Sequence, residues 1–453
     1  MNHRAAITLL LSLLPVTTAA EPSYPPPPAP KDRSHLGENI QRTMTLLATS
    51  TPIHPNHVRI LFYGQSITEQ SWSKSVADDL RKRFPHADLE IENRAIGGFS
   101  AQRLILPAEH DCYPFYPDLV IFHVYGANLP YEEIIKNIRT RTTAEVLIQR
   151  DHLTQWPPAT IDRDKDKSAW WDNFMNEQFL PATAKKYACG LADVRTGWIT
   201  YLKTNHLEPK ALLKDTVHLN DHGNYLMAEL IKRNLVYRPD LPNDNWKDLV
   251  RTIDDPAALK RDNDTLTLPF EGNRIDLTPA AAPTRKVEVL IDGKHPSEYP
   301  GCYRITRPAP GPWSPLFVSR VDHEAPLILE DWTLTVTAVA DDGKSFKYDV
   351  RGSVTGPDGS GTSDQPFTSK SGRVKLDPVA FFRGTNPKLP VGYTSKWHVL
   401  PLFTDTLDPG TTKPSQPLTL AQGLPNTKHT LELRGPVSLK SLIVYKPPFK
   451  DPK

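Results

Sequence analysis

The sequence predicts an α/β domain followed by an all-β domain, and two patterns along its 453 residues carry that prediction. Between residues 58 and 233, short apolar runs alternate with segments in which apolar residues recur at helical spacing. Repeated β-α units of this kind form a parallel sheet that is covered by helices on both faces. After about residue 250, strand-like runs are separated by turn signals, which is typical of a β-sandwich.

The N-terminus has the pattern of a secretory signal peptide, residues 1–20. Arg4 precedes an apolar run over residues 7–14, and small residues end at Ala20, where we expect cleavage. The run is too short to span a membrane, and no later apolar run approaches the length of about 18 residues that a span needs. We therefore expect a secreted or periplasmic protein without membrane insertion. Residues 21–35 are rich in proline and are expected to form an extended, semi-rigid linker.

Residues 36–250 are expected to form the α/β domain. Its predicted strands are residues 58–63, 89–93, 119–125, 144–149 and 191–194. Its predicted helices are residues 36–48, 73–84, 101–106, 131–139, 169–187 and 223–233, with a kink at Pro181 in the fifth.

Residues 251–453 are expected to form the β-sandwich domain. Its predicted strands are residues 265–269, 286–291, 332–338, 345–350, 397–402, 429–433 and 439–445. Turn signals such as Asp292-Gly293 separate them, and residues 353–371 are expected to form a long polar loop.

The composition narrows the functions to consider. The formal net charge is +2, so nothing favours a nucleic-acid partner or an anionic membrane surface. The three cysteines, Cys112, Cys189 and Cys302, leave at least one thiol unpaired, and a pair between the first two stays open. The histidine spacings match no zinc-binding pattern, and we expect neither a metal nor another cofactor.

Four short segments at the ends of predicted strands or before the last helix carry the candidate chemistry. Ser66 lies where the first strand ends and a helix begins, Gly98 follows the second strand, and Asn128 follows the third. Asp215 and His218 precede the last helix. Taken alone, each has an ordinary explanation as a turn, a helix cap or a chance pair. Together they place a nucleophile, a base and hydrogen-bond donors at the sheet edge where ligands bind.

The chemistry of ester hydrolysis assigns a role to each of these residues. A serine hydroxyl is a poor nucleophile until a base takes its proton, and His218 would do so for Ser66. Asp215 would hold the second ring nitrogen and stabilise the imidazolium. The backbone N–H groups of Ser66 and Gly98 and the side-chain amide of Asn128 would form the oxyanion hole.

This set resembles the four sequence blocks of the SGNH (GDSL-type) hydrolase family. The matching segments, in the family's order, are Gly64-Gln65-Ser66-Ile67-Thr68, Gly98, Gly126-Ala127-Asn128 and Asp215-Thr216-Val217-His218. The resemblance, over about residues 56–235, implies a flavodoxin-like three-layer α/β/α fold and serine esterase activity, with the roles just given. The sequence departs from the family at Gln65, where an acidic residue is usual, and at Leu129, where Asp is frequent.

A second histidine competes with His218 for the role of base. His222 follows Asp221 at the start of the last helix. We interpret it as a capping or loop residue, because the spacing of Asp215 and His218 matches the family's fourth block.

The substrate is predicted from context. The secretory sequence and the appended β-domain favour an ester-linked acyl group, with O-acetyl as the first candidate, on a poly- or oligosaccharide. Gln65 and Trp156 are the candidate substrate-binding residues, since an aromatic ring suits the apolar face of a sugar. Trp170-Trp171 either border the same crevice or pack as part of a helix. A lipid or thioester acyl hydrolase and an inactive carbohydrate-binding protein are the alternative functions.

Overall fold

The computed structural model describes residues 24–241, 248–254, 259–383 and 388–450. The predicted signal peptide and its cleavage site therefore lie outside the described residues. Within the described ranges, every helix is too short or too polar to cross a membrane.

The N-terminal half is a parallel sheet covered by helices. Its five strands are β1 (His57–Gly64), β2 (Asp88–Asn93), β3 (Leu119–His123), β4 (Glu145–Gln149) and β5 (Gly190–Ala192). Its helices are α1 (Gln41–Ala48), α2 (Ser66–Glu69), α3 (Ser71–Arg83), α4 (Ala101–Leu104), α5 (Ala108–Asp111), α6 (Asn128–Arg141), α7 (Lys167–Phe174), α8 (Leu180–Lys186), α9 (Val194–Thr204) and α10 (Asp221–Lys232). The strand order β2-β1-β3-β4-β5, with all neighbours parallel, confirms the predicted α/β fold and is the flavodoxin-like order.

The central strand β1 supplies side chains to a separate core on each face of this sheet, because successive strand residues point in opposite directions. Ile60 and Phe62 pack with α1, α3, α9 and α10 in one apolar core. Leu61 and Tyr63 pack with α4, α5, α6 and α8 in the other. The apolar run that precedes Ser66 is therefore buried on both sides, which fixes the position of the strand end.

Two of the differences between the predicted and the observed helices have a clear physical cause. The expected single helix over residues 169–187 is two helices joined by a π-helical turn, Met175–Phe179, just before Pro181. The missing N–H of proline removes one helical hydrogen bond and explains the wider turn. Helix α9 was not predicted, since Gly197 and several β-branched residues weaken its pattern. A side chain at Gly197 would collide with Leu230 of α10, so glycine permits the close packing of these helices.

The described part of the proline-rich segment packs against the α/β domain and is not a free linker. The Tyr24 ring stacks on His222 with a centroid separation of 4.1 Å. The Tyr201 hydroxyl donates to the Pro25 carbonyl oxygen over 3.1 Å, and Arg233 donates to that of Pro27. The segment is extended, as expected, but α9 and α10 hold it in place.

The C-terminal region consists of strands, as predicted, but it contains two apolar cores. One sheet contains β6 (Val250–Ile253), β7 (Lys260–Asp262), β8 (Thr265–Pro279), β9 (Val287–Ile291), β19 (Thr406–Leu407), β20 (Leu418–Arg434) and β21 (Leu439–Tyr445). Its strand order is β19-β9-β20-β8-β21-β6, and β7 pairs with β8. The other sheet contains β10 (Tyr303–Ile305), β12 (Asp331–Val339), β13 (Phe346–Gly352), β14 (Gly356–Thr362) and β18 (Thr394–Pro401). Its strand order is β10-β18-β12-β13-β14. Two short pairs complete the region, β11 (Phe317–Val318) with β17 (Phe381–Phe382) and β15 (Phe367–Thr368) with β16 (Lys375–Leu376). The second sheet is thus inserted in the chain between β9 and β19 of the first.

The prediction of a long polar loop over residues 353–371 is wrong. Strand β14 lies within it and pairs antiparallel with β13, with one bulge. Its sequence, Gly-Pro-Asp-Gly-Ser-Gly-Thr, has no apolar alternation, and it lies at the edge of its sheet. Edge strands are less dependent on a buried face, which explains why the pattern failed to show this one.

The three cysteines are all buried and unpaired. Burial raises the pKa of the Cys189 and Cys302 thiols to about 12. Because the thiolate is the reactive form, these side chains act as small core residues.

The C-terminal region docks on the α/β domain beside α4 and α5. The ring of Phe99 contacts those of Phe317 and Phe382, with centroid separations of 5.8 and 4.9 Å. Asp111 and Arg307 form an ion pair of 3.0 Å across the same boundary. Since Phe99 directly follows Gly98, this contact lies next to one of the four candidate segments.

Candidate active site

Ser66 is the first residue of α2, and only Gln65 separates it from the end of β1. Strand β1 ends at Gly64, where a Cβ atom would come within 2.0 Å of the His123 carbonyl oxygen on the neighbouring strand. Glycine therefore allows β1 and β3 to stay paired up to the turn. The turn places Ser66 at the carboxyl edge of the sheet, as predicted.

Ser66, His218 and Asp215 are joined by hydrogen bonds. The Nε2 atom of His218 lies 2.9 Å from the Ser66 Oγ, and its Nδ1 atom lies 2.8 Å from the Asp215 Oδ2. With Nδ1 protonated and facing the carboxylate, Nε2 is the acceptor that faces the serine hydroxyl. This is the geometry required of a serine nucleophile, its base and the group that orients the base.

Asp215 is held by its own loop. Its Oδ1 accepts hydrogen bonds from the backbone N–H groups of Val217 and His218, over 2.9 and 2.8 Å. These backbone bonds, followed by the bond from the His218 ring, lower the pKa of Asp215 to about 2. The side chain is therefore a carboxylate over the whole neutral range, although it is exposed.

Gln70 ties the histidine loop to the end of the serine helix. Its Nε2 donates to the Leu219 carbonyl oxygen over 2.9 Å, and its Oε1 accepts from the Leu219 N–H over 3.1 Å. A backbone hydrogen bond of 2.8 Å from Lys214 to the His218 carbonyl oxygen closes the loop itself. The two chain segments that carry the serine and the histidine are thus fixed to each other.

His152 forms a hydrogen bond with the same loop. This buried ring lies with Nε2 2.9 Å from the Val217 carbonyl oxygen. Burial lowers the pKa of His152 to about 4, so the neutral ring donates from Nε2. The Tyr125 hydroxyl lies 3.5 Å from the other nitrogen.

Gly98 and Asn128 lie on loops that are bonded to the serine turn and to each other. The Ile96 N–H donates to the Gly64 carbonyl oxygen, and the Ala101 N–H donates to that of Tyr125, each over 2.9 Å. Gly98 has a φ of +73°, a left-handed conformation that glycine adopts without strain. Asn128 is the first residue of α6, and no hydrogen bond joins its side-chain amide to another described residue.

The remaining predicted residues are placed as follows. Gln65 is 9% exposed, so its side chain is largely shielded from a substrate. Trp156, 37% exposed, donates from its indole to Glu208 over 2.8 Å. His222 lies away from the serine, bonded to the Tyr201 hydroxyl over 2.6 Å. It does not cap α10, since Asn220 accepts the capping hydrogen bond from Gly223.

An open pocket of about 720 Å³ exposes the serine and the histidine. Its other walls are mostly polar and include Glu69, Gln70 and Lys214. A second pocket, of about 540 Å³, lies along the Gly126-Ala127 loop and has Trp171 on its wall. Trp171 thus borders a pocket other than the one that exposes Ser66, and both tryptophans lie in α7, where Trp170 stacks on Phe174.

The sequence interpretation missed Gln70, His152 and Trp313, a residue of the C-terminal region that lies against Gly97 and Gly98. Gln70 carries no motif, and its function depends on a backbone 149 positions away. His152 matches no motif, and its only local feature is the neighbouring Asp151. Trp313 had one signal, an aromatic residue in a run of prolines, which typically forms an exposed loop.

Comparisons with known proteins found no matching family model and no matching curated protein. Among solved structures, the chain is similar to a two-domain esterase (CEX) active on acetylated mannans, co-crystallised with mannopentaose. That similarity has 16% identity, covers 92% of this chain and 97% of the other, and gives a TM-score of 0.36. It is also similar to the acetyl xylan esterase AlAXEase, with 21% identity over 40% of this chain and 100% of the other, and a TM-score of 0.34. Axe2, an acetylxylan esterase from Geobacillus stearothermophilus, gives 15% identity over 41% of this chain and 96% of the other, and a TM-score of 0.34.

The fold and the site define a class. The chain is a flavodoxin-like α/β protein with a β-rich C-terminal region, and it carries a hydrogen-bonded Ser-His-Asp set at the carboxyl edge of its parallel sheet.

Proposed function

We propose that the protein is an exported serine esterase that removes ester-linked acyl groups, most simply O-acetyl groups, from a carbohydrate. The observation that carries the esterase proposal is the 2.9 Å contact between the Ser66 Oγ and the His218 Nε2, with Asp215 on the other ring nitrogen. The carbohydrate and the export are supported by the secretory sequence, the C-terminal β region and the open, polar pocket.

The proposed reaction uses the hydrogen bonds of this site. His218 takes the hydroxyl proton at Nε2 while the Ser66 Oγ attacks the ester carbonyl carbon. The resulting oxyanion is stabilised by the backbone N–H groups of Ser66 and Gly98 and by the Asn128 amide. The tetrahedral intermediate expels the alcohol, which takes the proton from His218 and leaves an acyl-enzyme.

Water completes the cycle by the same steps. His218 removes a proton from water, which attacks the acyl carbonyl carbon, and Ser66 leaves with that proton restored. Asp215, ionised throughout, stabilises the imidazolium each time it forms. No further group is needed for the balance of atoms and charge.

The test is acetate release from acetylated xylan, acetylated pectin and p-nitrophenyl acetate. Ser66→Ala is expected to lower turnover by a factor of about 1,000 or more, because the nucleophile is removed. His222→Ala is the matched control and should retain activity, since that ring faces Tyr201. Folded wild-type protein that hydrolyses none of the three esters would refute the esterase proposal. Comparing acetyl with longer acyl esters tests chain-length preference, and a mature N-terminus at Glu21 would support export.

A further inference from the structure

Trp313 is an exposed aromatic residue of the C-terminal region that lies against the turn of Gly97 and Gly98. Its side chain is 66% exposed. Its Cζ2 and Cη2 atoms lie 3.1 and 3.4 Å from the positions that Cβ atoms would take at Gly97 and Gly98. The indole therefore lies against the turn that carries a predicted oxyanion donor.

The loop that carries Trp313 is fixed at both ends. Ala309 exchanges two backbone hydrogen bonds with Lys396 of β18, over 2.8 and 2.7 Å. At the other end Leu316 is buried, and its carbonyl oxygen accepts from Ser314 and Tyr393, over 2.8 and 3.2 Å. Prolines at positions 308, 310, 312 and 315 restrict the backbone between these ends. The backbone that carries the indole is thus restrained before any ligand binds.

The turn beneath the indole is fixed to the same structure. Phe99, the residue after Gly98, packs against Phe317, which follows the Trp313 loop directly. The two surfaces that face each other, the glycine turn and the indole, are therefore positioned by one aromatic contact. A side chain on either glycine would push against the indole or against Glu69.

Glu69 adds a hydrogen-bond acceptor beside the indole. Its Oε1 accepts from the Gly97 N–H over 2.8 Å. Its Oε2 has no hydrogen-bond partner among the described residues and lies 2.6 Å from the position of a Cβ atom at Gly97. An exposed aromatic face next to a free carboxylate oxygen suits a ligand that has both C–H and O–H groups. A lipid chain would gain nothing from that carboxylate, since an unpaired charge beside an apolar ligand is costly.

We propose that Trp313 is a substrate-binding residue supplied by the C-terminal region, and that the sugar ring bearing the ester stacks on its exposed face. The inference rests on the proposed esterase function and extends it by assigning a sugar-binding role to a residue outside the α/β domain. Aromatic side chains offer a large, rigid contact area at a low cost in conformational entropy. The C-terminal region thereby takes part in selecting the substrate.

The test compares two substrates that differ in the sugar. Wild-type protein, Trp313→Ala and Trp313→Phe are assayed on acetylated xylan and pectin oligosaccharides and on p-nitrophenyl acetate, which has no sugar ring. Trp313→Ala is expected to lower kcat/KM on the oligosaccharides about tenfold or more, through KM, as the loss of an aromatic anchor does in other interfaces. Turnover of p-nitrophenyl acetate should stay within about twofold of the wild type, and Trp313→Phe should restore part of the loss. Val354→Ala, at a site that is 69% exposed in the turn before β14, is the surface control.

Each outcome is decisive. A selective loss on the oligosaccharides supports the proposal. An equal loss on both substrates shows that Trp313 is only structural, and no loss on either shows that it does not bind the sugar, so both overturn it. Wild-type protein that hydrolyses p-nitrophenyl acetate but no acetylated oligosaccharide also overturns it while the esterase function stands. If no ester is hydrolysed, the proposed function itself fails. The binding role is then tested separately by measuring the affinity of Ser66→Ala and of Ser66→Ala/Trp313→Ala for the oligosaccharides. Equal affinities of these two variants would refute the binding role.

Discussion

The side-chain amide of Gln70 forms two hydrogen bonds with the backbone of Leu219, although 149 positions separate them. Gln70 directly follows α2, whose first residue is Ser66, and Leu219 directly follows His218. The pair therefore fixes the distance between the segments that carry the proposed nucleophile and the proposed base. Misplacement of catalytic groups by about 1 Å can cost a hundredfold in rate, so the proposed reaction would depend directly on this contact.

Gln70→Ala is expected to lower kcat about tenfold or more while KM changes little, because the loss affects the alignment of His218 with Ser66. The loss of two partly buried hydrogen bonds should also lower the free energy of unfolding by about 1–3 kcal/mol. Steady-state kinetics with p-nitrophenyl acetate and denaturant unfolding measure the two effects.

Gln416→Ala is the matched control, since Gln416 is an exposed glutamine of the C-terminal region. A fluorophosphonate probe that labels Ser66 gives an independent readout, because its rate depends on activation of the serine. If Gln70→Ala lost stability but labelled at the wild-type rate, Gln70 would be a structural residue without a role in positioning His218.

The contrast between Gln70 and Ser66 shows what the sequence could reveal. The apolar run before Ser66, the glycine turn and the spacing of Asp215 and His218 are local patterns, and they predicted the sheet edge and the side chains that meet there. Gln70 and Trp313 act through residues that are distant in the chain. No local pattern encodes those contacts, because only the docking of complete elements creates them. The two cores of the β region were missed for the same reason, since strand patterns do not specify which strands pair.

Asp215→Asn is expected to lower kcat on p-nitrophenyl acetate by a factor of about 1,000 or more, because an amide neither holds the required tautomer of His218 nor stabilises its positive form. Acid stability provides a second readout. The pKa of Asp215 is lowered to about 2, so its contribution to stability is present above the ordinary pKa of 3.8 and is lost as pH falls from there towards 2. The variant should therefore show a weaker decrease in melting temperature over that interval. Asp248→Asn is the control, because Asp248 is exposed and its carboxylate accepts no hydrogen bond from another described residue.

Asn128→Ala is expected to lower kcat about a hundredfold to a thousandfold with little change in KM, because the amide would donate to the oxyanion and not to the ground-state ester. The neighbouring Leu129 is 71% exposed, and Leu129→Ala is the matched control on the same turn of α6. Activity of Asn128→Ala equal to that of the control would remove Asn128 from the oxyanion hole and leave only the backbone donors.

His110 links the two halves of the protein and makes their contact sensitive to acid. Its buried ring lies with Nδ1 3.1 Å from the Ile305 carbonyl oxygen and accepts at Nε2 from the Val321 N–H over 3.0 Å. Burial, opposed in part by Asp322, lowers the pKa of His110 to about 4. Protonation removes the acceptor that Val321 needs and places a charge in the contact.

The sign of the pH dependence follows from that shift. The unfolded chain binds the His110 proton below about pH 6.5, whereas the folded chain resists it until about pH 4, so stability falls as pH is lowered through this interval. A full shift of this size corresponds to about 3 kcal/mol. Asp111 acts in the opposite direction, because burial raises its pKa to about 6 and its protonated form favours the folded state.

Replacing His110 by Gln therefore should flatten the decline of melting temperature between pH 6.5 and 4, because glutamine can donate and accept but does not titrate. His54→Gln, at an exposed position of the α/β domain, is the matched control and should leave the profile unchanged. Melting curves recorded at half-unit pH steps give the measurement, and Asp111→Asn tests the opposing contribution. If the melting temperature of the Asp111→Asn variant, which keeps His110, stayed constant over this interval, His110 would not carry the acid sensitivity of the contact.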